Sequence, residues 1–331
     1  MMDQLIMKFP AQLKEAIEIG EAATIRPHHY TINKVILCGM GDSGIAAAFV
    51  ADLITDECPC PFIIHSTYHL PAFVDKHTLV IISSYPGDTE ETISSFNKAL
   101  LTGSKIVCIT SGSNIQDIAT QQGTDTITLS SGWSSPRAYI GYLLVQQLFV
   151  LQKLGLISDS IIDNLKNAVD LITFEQEDIQ FKAEKIAALL YKKTPVIYTT
   201  DRSESIGLRW RQQFNENSKI LCWHNVIPAM NHNELEGWKT KHEDIAVIFL
   251  RFKDDFKRTQ IRTDITKQMV NQYAATVIEI FSKGQSLAEK MMYMAHFGDW
   301  VSWYLAQLYH VNPSANEAIN FLKSELEKSE I

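Results

Sequence analysis

Short runs of apolar residues alternate with segments of helical periodicity along the whole chain. Apolar runs of four to eight residues that end in glycine, serine or proline are typical of strands buried on both faces of a parallel sheet. Such runs predict strands at 34–38, 62–65, 78–83, 105–110, 126–129, 195–200, 220–223, 244–251 and 276–280. With helices between them, the pattern predicts an α/β fold of two doubly wound domains, each a parallel sheet flanked by helices.

Longer periodic segments predict the helices that organise the chain. One amphipathic helix is expected over Met2–Ala23. The longest apolar stretch, Ile140–Ile157, predicts a long buried helix. Two glutamines and a lysine interrupt that stretch, so it is not expected to span a membrane. The chain of 331 residues is too long for one simple core. We therefore predict a first domain at 1–155 and a second at 156–331.

Composition narrows the class of protein. A hydrophobic content of 46% with 21% charged residues is that of an ordinary globular chain. The net charge of −8 argues against general binding of nucleic acid or acidic membranes. Five cysteines that mostly lie in apolar runs indicate a reducing compartment. The first residues lack a basic start followed by a long apolar core, so we expect no export signal and a cytoplasmic location.

The first predicted strand runs into a glycine-rich loop, GMGDSG at 39–44, before a helix of small residues. This spacing satisfies a dinucleotide fingerprint. That fingerprint also needs an acidic residue near the end of the second strand, where this chain has HSTYH at 65–69. Ser43 instead suits a phosphate monoester, because its hydroxyl stands at a helix start among free amides. We expect a phosphate site that also uses Gly41 and Gly44, with no nucleotide cofactor.

A second loop of this kind follows the third predicted strand. Residues 83–92, SSYPGDTEET, place Ser84 and Thr89 at the carboxyl end of a strand beside a new helix. Asp88 with Glu91 fits a capping box that opens that helix. Because loops after adjacent parallel strands converge on the crevice above the sheet, we predict that both loops bind one anion.

A positive side chain, Arg137, stands at the start of the long buried helix in the sequence SPRAY. Pro136 suits the first helical position, and one interpretation makes Arg137 a solvated charge. The other interpretation points Arg137 back into the crevice, where it stabilises negative charge. The pattern alone does not separate the two. Lys323, on the last predicted helix, is by default a solvent-facing lysine.

The stretch that organises the second half places a glutamate between two asparagines and a histidine between two more. The four-residue spacing of Ile206, Trp210 and Phe214 predicts a helix that carries Glu216 off its apolar face. A carboxylate and an imidazole are the usual pair for proton transfer at neutral pH. We interpret Glu216 as a base toward carbon and His232 as its partner at oxygen. The alternative is a solvated helix face with a surface histidine, although the four asparagines suit a polar cleft better.

Six motifs together resemble the bifunctional phosphoglucose/phosphomannose isomerase family, which is built from two sugar isomerase domains. They span nearly the whole chain in the right order, and together they are far more specific than any one alone. The motifs are GMGDSGI at 39–45, SSYPGDTEET at 83–92, SPRAYIGY at 135–142, NENSK at 215–219, NHNELEG at 231–237 and NPSANEAINFLK at 312–323.

The resemblance implies an aldose-ketose isomerase without metal or nucleotide. Its substrates would be fructose 6-phosphate, glucose 6-phosphate and, in the bifunctional members, mannose 6-phosphate, interconverted through an enediol(ate). By position, Glu216 matches the proton-shuttling base, Arg137 the cation that stabilises the enediolate, and His232 and Lys323 the groups that assist ring opening. The phosphate ligands match Ser43, Ser84 and Thr89. In this family the histidine typically comes from the neighbouring subunit, which implies a homodimer with the site near the subunit interface.

Four positions depart from the family pattern. Asp42 replaces a glycine before the serine, and at about 5 Å from a phosphate its charge would repel that anion by roughly 3 kcal/mol at an effective dielectric near 20. Pro86 stands where the family commonly has a serine, and Asp88 stands where it has an asparagine. Each of these changes weakens the anion site. Asn316 stands where bifunctional enzymes carry a threonine linked to mannose acceptance, so it is the expected specificity position.

Two other functions stay open on the sequence. The chain could be a non-catalytic phosphosugar sensor, although such relatives carry an added DNA-binding segment. It could also bind another phosphorylated or uncharged sugar, which the acidic substitutions favour. An amidotransferase is disfavoured because no glutaminase region with a leading cysteine precedes the first domain. A metal enzyme is disfavoured because His65 and His69 have no carboxylate set nearby in the sequence.

Overall fold

Two parallel sheets form the frame of the computed structural model, which describes residues 1–132 and 135–329. The strands are β1 Lys34–Cys38, β2 Phe62–His65, β3 Thr78–Ser83, β4 Lys105–Thr110, β5 Asp125–Thr128, β6 Thr194–Thr200, β7 Trp223–Ile227, β8 His242–Arg251 and β9 Ala274–Phe281. The first sheet has the order β2-β1-β3-β4-β5 and the second β7-β6-β8-β9. The predicted α/β fold with two parallel sheets is confirmed.

Helices connect the strands and cover both faces of the sheets. They are α1 Met2–Met7, α2 Phe9–Ala22, α3 Gly41–Ile54, α4 Glu90–Ala99, α5 Ser113–Gln122, α6 Ile140–Lys153, α7 Ser160–Leu190, α8 Glu204–Glu216, α9 Lys257–Val270, α10 Leu287–Leu308 and α11 Glu317–Glu327. The predicted domain division falls in the turn between α6 and α7. One continuous hydrophobic cluster nevertheless contains residues of both sheets, so the two halves share a core.

Two predicted elements are wrong in their bounds. The amino-terminal segment is two helices that break at Lys8, where Pro10 enters the first turn of the second helix and has no N–H to continue the first. The strand expected at 220–223 begins only at Trp223. Before it the chain is still leaving α8, because Ile220 N–H donates to Phe214 O and Lys219 has a φ of +58°.

Each sheet changes its winding direction at one point, between β1 and β3 in the first and between β6 and β8 in the second. Ligands of parallel α/β sheets bind beyond the carboxyl ends of the strands at such a point. Cys38 pairs with Ile82, which brings the two loops after β1 and β3 side by side. Gly39 is required there, because a Cβ would lie 2.8 Å from Ser83 O.

Helix packing joins the two halves next to this crevice. Helix α3 of the first half packs against α8 of the second, and Asp52 accepts a hydrogen bond of 3.1 Å from Ser205 N. Helix α10, which lies against α7, is buried along most of its length. Among the described residues, no helix is both long and apolar enough to cross a bilayer.

Candidate active site

The centre of the candidate site is an ion pair between Arg137 and Glu216, with Nη1 and Oε2 2.9 Å apart. Arg137 lies in a 3₁₀ turn at Pro136–Ala138 just before α6, and Glu216 is the last residue of α8. The Arg137 side chain is 1% exposed and that of Glu216 is 32% exposed. The solvated-charge interpretation of Arg137 is therefore wrong, and its charge is buried against a carboxylate that solvent and ligands can reach.

Every nitrogen of the Arg137 guanidinium donates a hydrogen bond. Nε donates to Asn217 Oδ1 at 2.7 Å, Nη1 also donates to Asn316 Oδ1 at 2.9 Å, and Nη2 donates to Pro313 O. These hydrogen bonds fix the plane of the guanidinium group and connect the segment before α11 to the end of α8. Asn316, the expected specificity position, therefore contacts the cation of the site.

A second buried ion pair supports the first. Arg209 donates to both carboxylate oxygens of Asp299, at 3.1 and 2.7 Å, and its Nη2 also donates to Arg137 O at 3.0 Å. Burial raises the pKa of the Asp299 carboxyl, and the Arg209 charge opposes that rise. The sequence reasoning missed this pair. The available signal was an aspartate inside an apolar helix, because a buried carboxylate requires a cationic partner.

Lys219 closes the other side of Glu216. Its Nζ donates to Glu216 O and to Ala315 O, each at 2.5 Å. Burial lowers the pKa of Lys219, and the nearby Arg137 charge lowers it further. A cavity of about 530 Å³ lies between the end of α8 and the start of α11. Its lining residues are Asn215, Glu216, Lys219, Val311, Asn312, Ala315, Asn316, Glu317, Ala318 and Ile319.

The first glycine loop winds directly into α3. Ser43 N–H and Gly44 N–H donate to Met40 O at 3.0 and 3.4 Å, so only the amides of Gly41 and Asp42 in the first turn need partners outside the helix. Gly41 has a φ of +49°, and Ser43 is 3% exposed. The predicted group of free amides is therefore smaller than the sequence suggested, although the helix start still favours an anion.

The second loop is held together by its own hydroxyl groups. Ser84 Oγ and Thr89 Oγ1 are 3.0 Å apart, and Gly87 N–H donates to Ser84 Oγ at 3.2 Å. Gly87 has a φ of +78°, and a Cβ there would lie 1.9 Å from Gly112 O. The predicted capping box is wrong, because Thr89 is the N-cap of α4 and no side chain caps it. Asp88 is exposed beside this turn.

One ring contact and one electrostatic interaction link these loops to the Arg137–Glu216 pair within one chain. Tyr85, which follows Ser84, stacks on Tyr139 with ring centroids 4.1 Å apart, and Tyr139 stands two residues after Arg137. Asp42 directly precedes Ser43, and the charge of Glu216 acts on its carboxylate. Burial raises the pKa of Asp42 to about 7; the Glu216 carboxylate adds to the rise, and the two arginine charges oppose it. The predicted phosphate loops and the predicted base therefore meet on one side of the molecule.

Two predicted residues lie elsewhere in the chain. His232 is exposed at the end of a 3₁₀ turn after β7, at the edge of the second sheet, and Lys323 is exposed on α11. Neither lines the cavity beside Glu216. Two of the asparagines around Glu216 and His232 make structural hydrogen bonds, since Asn217 also donates to Ser302 Oγ and Asn231 donates to Thr266 Oγ1. Asn215, by contrast, lines the cavity, as a polar cleft requires. Trp133 and Ser134, which precede Arg137 in the sequence, lie outside the described residues.

Sequence relatives match almost the full chain. The bifunctional phosphoglucose/phosphomannose isomerase of Caldicellulosiruptor bescii is 36% identical over 335 residues, which cover 98% of each chain. The protein of the same name from Aquifex aeolicus is 34% identical over 297 residues, which cover 89% of this chain and 90% of the relative. The chain belongs to the bifunctional phosphoglucose/phosphomannose isomerase family. This confirms the resemblance carried by the six motifs.

The second half of this family member also matches a known domain. The family model described as the bacterial phospho-glucose isomerase C-terminal SIS domain matches residues 179–326. Among solved structures, a hypothetical protein from Thermus thermophilus superposes with a TM-score of 0.76 at 14% identity, over 98% of this chain and 89% of that one. This likeness supports the fold alone.

Proposed function

We propose that this protein interconverts fructose 6-phosphate and glucose 6-phosphate, and also accepts mannose 6-phosphate. The observation that carries the proposal is the Arg137–Glu216 pair, which lies beside two loops suited to a phosphate in one crevice. Family members with this name cover nearly the same length. A non-catalytic sugar-binding protein is not favoured, because binding alone needs no carboxylate paired with a buried cation.

Glu216 acts as the base in the proposed reaction. Its Oε2 accepts from Arg137, while its Oε1 has no hydrogen-bond partner among residues 1–132 and 135–329. The free oxygen takes the proton from the carbon next to the carbonyl and returns it to the neighbouring carbon. The C–H electrons pass into the enediol(ate), whose developing negative charge Arg137 stabilises. Arg137 needs little reorganisation for this, because its other nitrogens are already held.

The phosphate end of the substrate binds at the carboxyl end of the first sheet. The first turn of α3 offers amides and a helix N-terminus, and Ser84 and Thr89 offer hydroxyl groups from the neighbouring loop. Ser43 adds a third hydroxyl, with Gly41 and Gly44 allowing close approach of the backbone. Asn316 sets the choice between glucose and mannose configurations through its hydrogen bond to Arg137.

The functional unit in this proposal is a homodimer in which His232 of one subunit assists ring opening in the other, together with Lys323. The support is that His232 is exposed and does not line the cavity beside Glu216 of its own chain. Helix α11 also exposes an apolar surface that a neighbouring subunit would cover. That surface consists of Ile319, Phe321, Leu322 and Leu326. The protein acts in the cytoplasm, where hexose phosphates and reduced cysteines occur.

An enzyme-coupled assay with fructose, glucose and mannose 6-phosphates tests the activity. We expect turnover by the wild type and a loss of at least about a thousandfold in kcat for Glu216→Gln, since a positioned general base contributes on the order of 10²–10⁴. Glu204→Gln, which removes an exposed carboxylate at the other end of α8, serves as the control and should keep full activity. Full activity in Glu216→Gln with an unchanged fold would refute the assignment.

Subunit complementation tests the shared site separately. Glu216→Gln and His232→Ala proteins are purified, mixed under conditions that exchange subunits, and assayed. If the histidine crosses the interface, each mixed dimer holds one intact site and activity returns to roughly a quarter of the wild-type value. If Glu216 and His232 act within one chain, each mixed dimer has no intact site, and no recovery is seen.

A further inference from the structure

Asp42 is a carboxylate in the candidate site for which the proposed reaction has no use. Helix α3 carries Asp42 in its first turn and Asp52 near its end, where Asp52 accepts from Ser205 N at the start of α8. Helices α3 and α8 are in contact. At 1.5 Å per residue, the step back from Asp52 to Asp42 covers about 15 Å, as does the step from Ser205 to Glu216. At that distance from the Asp52–Ser205 contact, the Glu216 carboxylate is the charge with the largest effect on Asp42, so the two acids are neighbours.

The charges that act on Asp42 do not neutralise it: two carboxylates, of Glu216 and Asp299, face two arginines. The third cation, Lys219, lies on the other side of Glu216, where its Nζ donates to Glu216 O and Ala315 O. Arg137 pairs with Glu216 and Arg209 pairs with Asp299, both within 2.9 Å, so each cation already has its carboxylate. Asp42 has no cation of its own among the described residues. A cluster that is largely removed from water favours a neutral total, and the carboxylate without its own cation is the one that takes a proton.

We propose that binding of a sugar phosphate is coupled to uptake of one proton by Asp42. The proposal rests on the proposed function, because it uses the phosphate site at the start of α3. In its balanced form, the ionised Asp42 carboxylate, one proton from solvent and the phosphate dianion give the protonated Asp42 carboxyl with the dianion bound next to it. No covalent bond of the substrate changes in this step.

The position of Asp42 gives the coupling its physical cause. Asp42 directly precedes Ser43, so a dianion at the first turn of α3 places two negative charges close to its carboxylate. That repulsion disappears when Asp42 is protonated, and the neutral carboxyl also gains an O–H that can donate to the phosphate. Burial and the Glu216 charge already bring the pKa of Asp42 to about 7, so little free energy is needed for the protonation near neutral pH.

The groups that act on Asp42 come from each element packed around it. Glu216 on α8 and Asp299 on α10 raise its pKa, while Arg209 on α8 and Arg137 in the turn before α6 lower it. Tyr139 also faces this cluster; burial raises the pKa of its phenol, and the Asp42 charge adds to the rise. Both acids that raise the pKa of Asp42 have arginine partners of their own. A proton taken up when the dianion binds therefore goes to Asp42.

Calorimetry with glucitol 6-phosphate tests the coupling without turnover, because this polyol has no carbonyl to isomerise. Binding enthalpies measured at pH 8 in two buffers of different ionisation enthalpy give the protons taken up per site. We expect the wild type to take up nearly one proton and its Kd to rise roughly tenfold per pH unit between pH 7 and 9. We expect Asp42→Asn to take up almost none and to show a flat profile.

Asp52→Asn is the matched control. It removes another aspartate of α3 whose pKa burial raises, but one about 15 Å from the phosphate loop, so proton uptake should persist. Uptake that is equal in the wild type and Asp42→Asn, or absent from a wild type that binds the ligand, would overturn the coupling and leave the isomerase intact. Failure of glucitol 6-phosphate to bind, with no turnover of fructose 6-phosphate, would overturn both proposals.

Discussion

The two sheets place similar crevices at their carboxyl ends but fill them differently. In the first sheet, between β1 and β3, the crevice is bordered by the hydroxyls of Ser84 and Thr89 and by the start of α3. In the second, between β6 and β8, the equivalent position is taken by the carboxylate of Asp255. Both sheets have the same strand order around this point, and the first has one additional strand.

Asp255 supplies the second crevice with an anion from the chain itself. It accepts from Thr200 Oγ1 and from Phe252 N, each at 3.0 Å. Burial raises the pKa of Asp255, and these two hydrogen bonds oppose the rise. Thr200 and Phe252 thus donate to a carboxylate of the chain itself, whereas the Ser84 and Thr89 hydroxyls of the first crevice contact each other. Topology therefore creates a crevice in each half, and the residues of the loops decide which groups border it. The proposed phosphate site belongs to the first crevice alone.

The largest expected effect comes from placing a carboxylate among the hydroxyl groups of the first crevice. Ser84→Asp should lower kcat/KM for fructose 6-phosphate by about a thousandfold, since two charges 4 Å apart repel by about 4 kcal/mol at an effective dielectric of 20. Asn97→Asp adds the same charge at an exposed position on α4 and should leave kcat/KM within about twofold. Activity that survives in Ser84→Asp would mean that the phosphate binds elsewhere.

A matched pair of threonines tests the same contrast with a smaller change. Thr89→Val removes a hydroxyl of the first crevice. It should raise KM by about tenfold, because that is the loss in affinity expected from one missing hydrogen bond to a charged group. Thr200→Val removes the donor to Asp255, so it should leave KM unchanged and lower the free energy of unfolding by about 1–2 kcal/mol. Steady-state kinetics and denaturant titration measure both. An unchanged KM in Thr89→Val would remove that residue from the phosphate site.

The smallest expected effect concerns the pH dependence of stability. The pKa of Asp42 is about 7 in the folded chain and near 3.8 when unfolded, so the folded chain binds more protons between these values. The free energy of unfolding of the wild type therefore falls as pH rises from about 4 to 7. Asp42→Asn should be more stable than the wild type at pH 8 by about 1–2 kcal/mol, and equally stable near pH 4.

Denaturant titrations at pH 4, 6 and 8 measure this difference. Asp88→Asn is the control, because its exposed carboxylate should change stability by less than about 0.5 kcal/mol at any of these pH values. A difference between Asp42→Asn and the wild type that does not vary with pH would show that the Asp42 carboxylate is not desolvated in the folded chain.

The regular elements were the most predictable part of the fold. The strands of the first sheet match the predicted runs within one residue. The three central strands, β1, β3 and β4, are the clearest case, because strands buried on both faces need side chains that are mostly apolar. Where prediction was wrong, local contacts decided. The left-handed conformation of Lys219 delays the start of β7, and Thr89 rather than Asp88 occupies the N-cap position of α4. No hydrophobic periodicity in the sequence indicates either of these two conformations.

The sequence by itself determined the fold class, the two glycine and serine loops and the identity of Glu216 as a candidate base, because these depend on local periodicity and on residue type. Only the tertiary structure decided the role of Arg137. Its acceptors Asn217, Pro313 and Asn316 are far away along the chain, and no pattern near Arg137 indicates them. The same holds for Asp42, whose excess charge arises only when packing has given each arginine another carboxylate. Charge balance in a buried cluster is a property of the folded molecule, since it depends on distances that the order of residues does not contain.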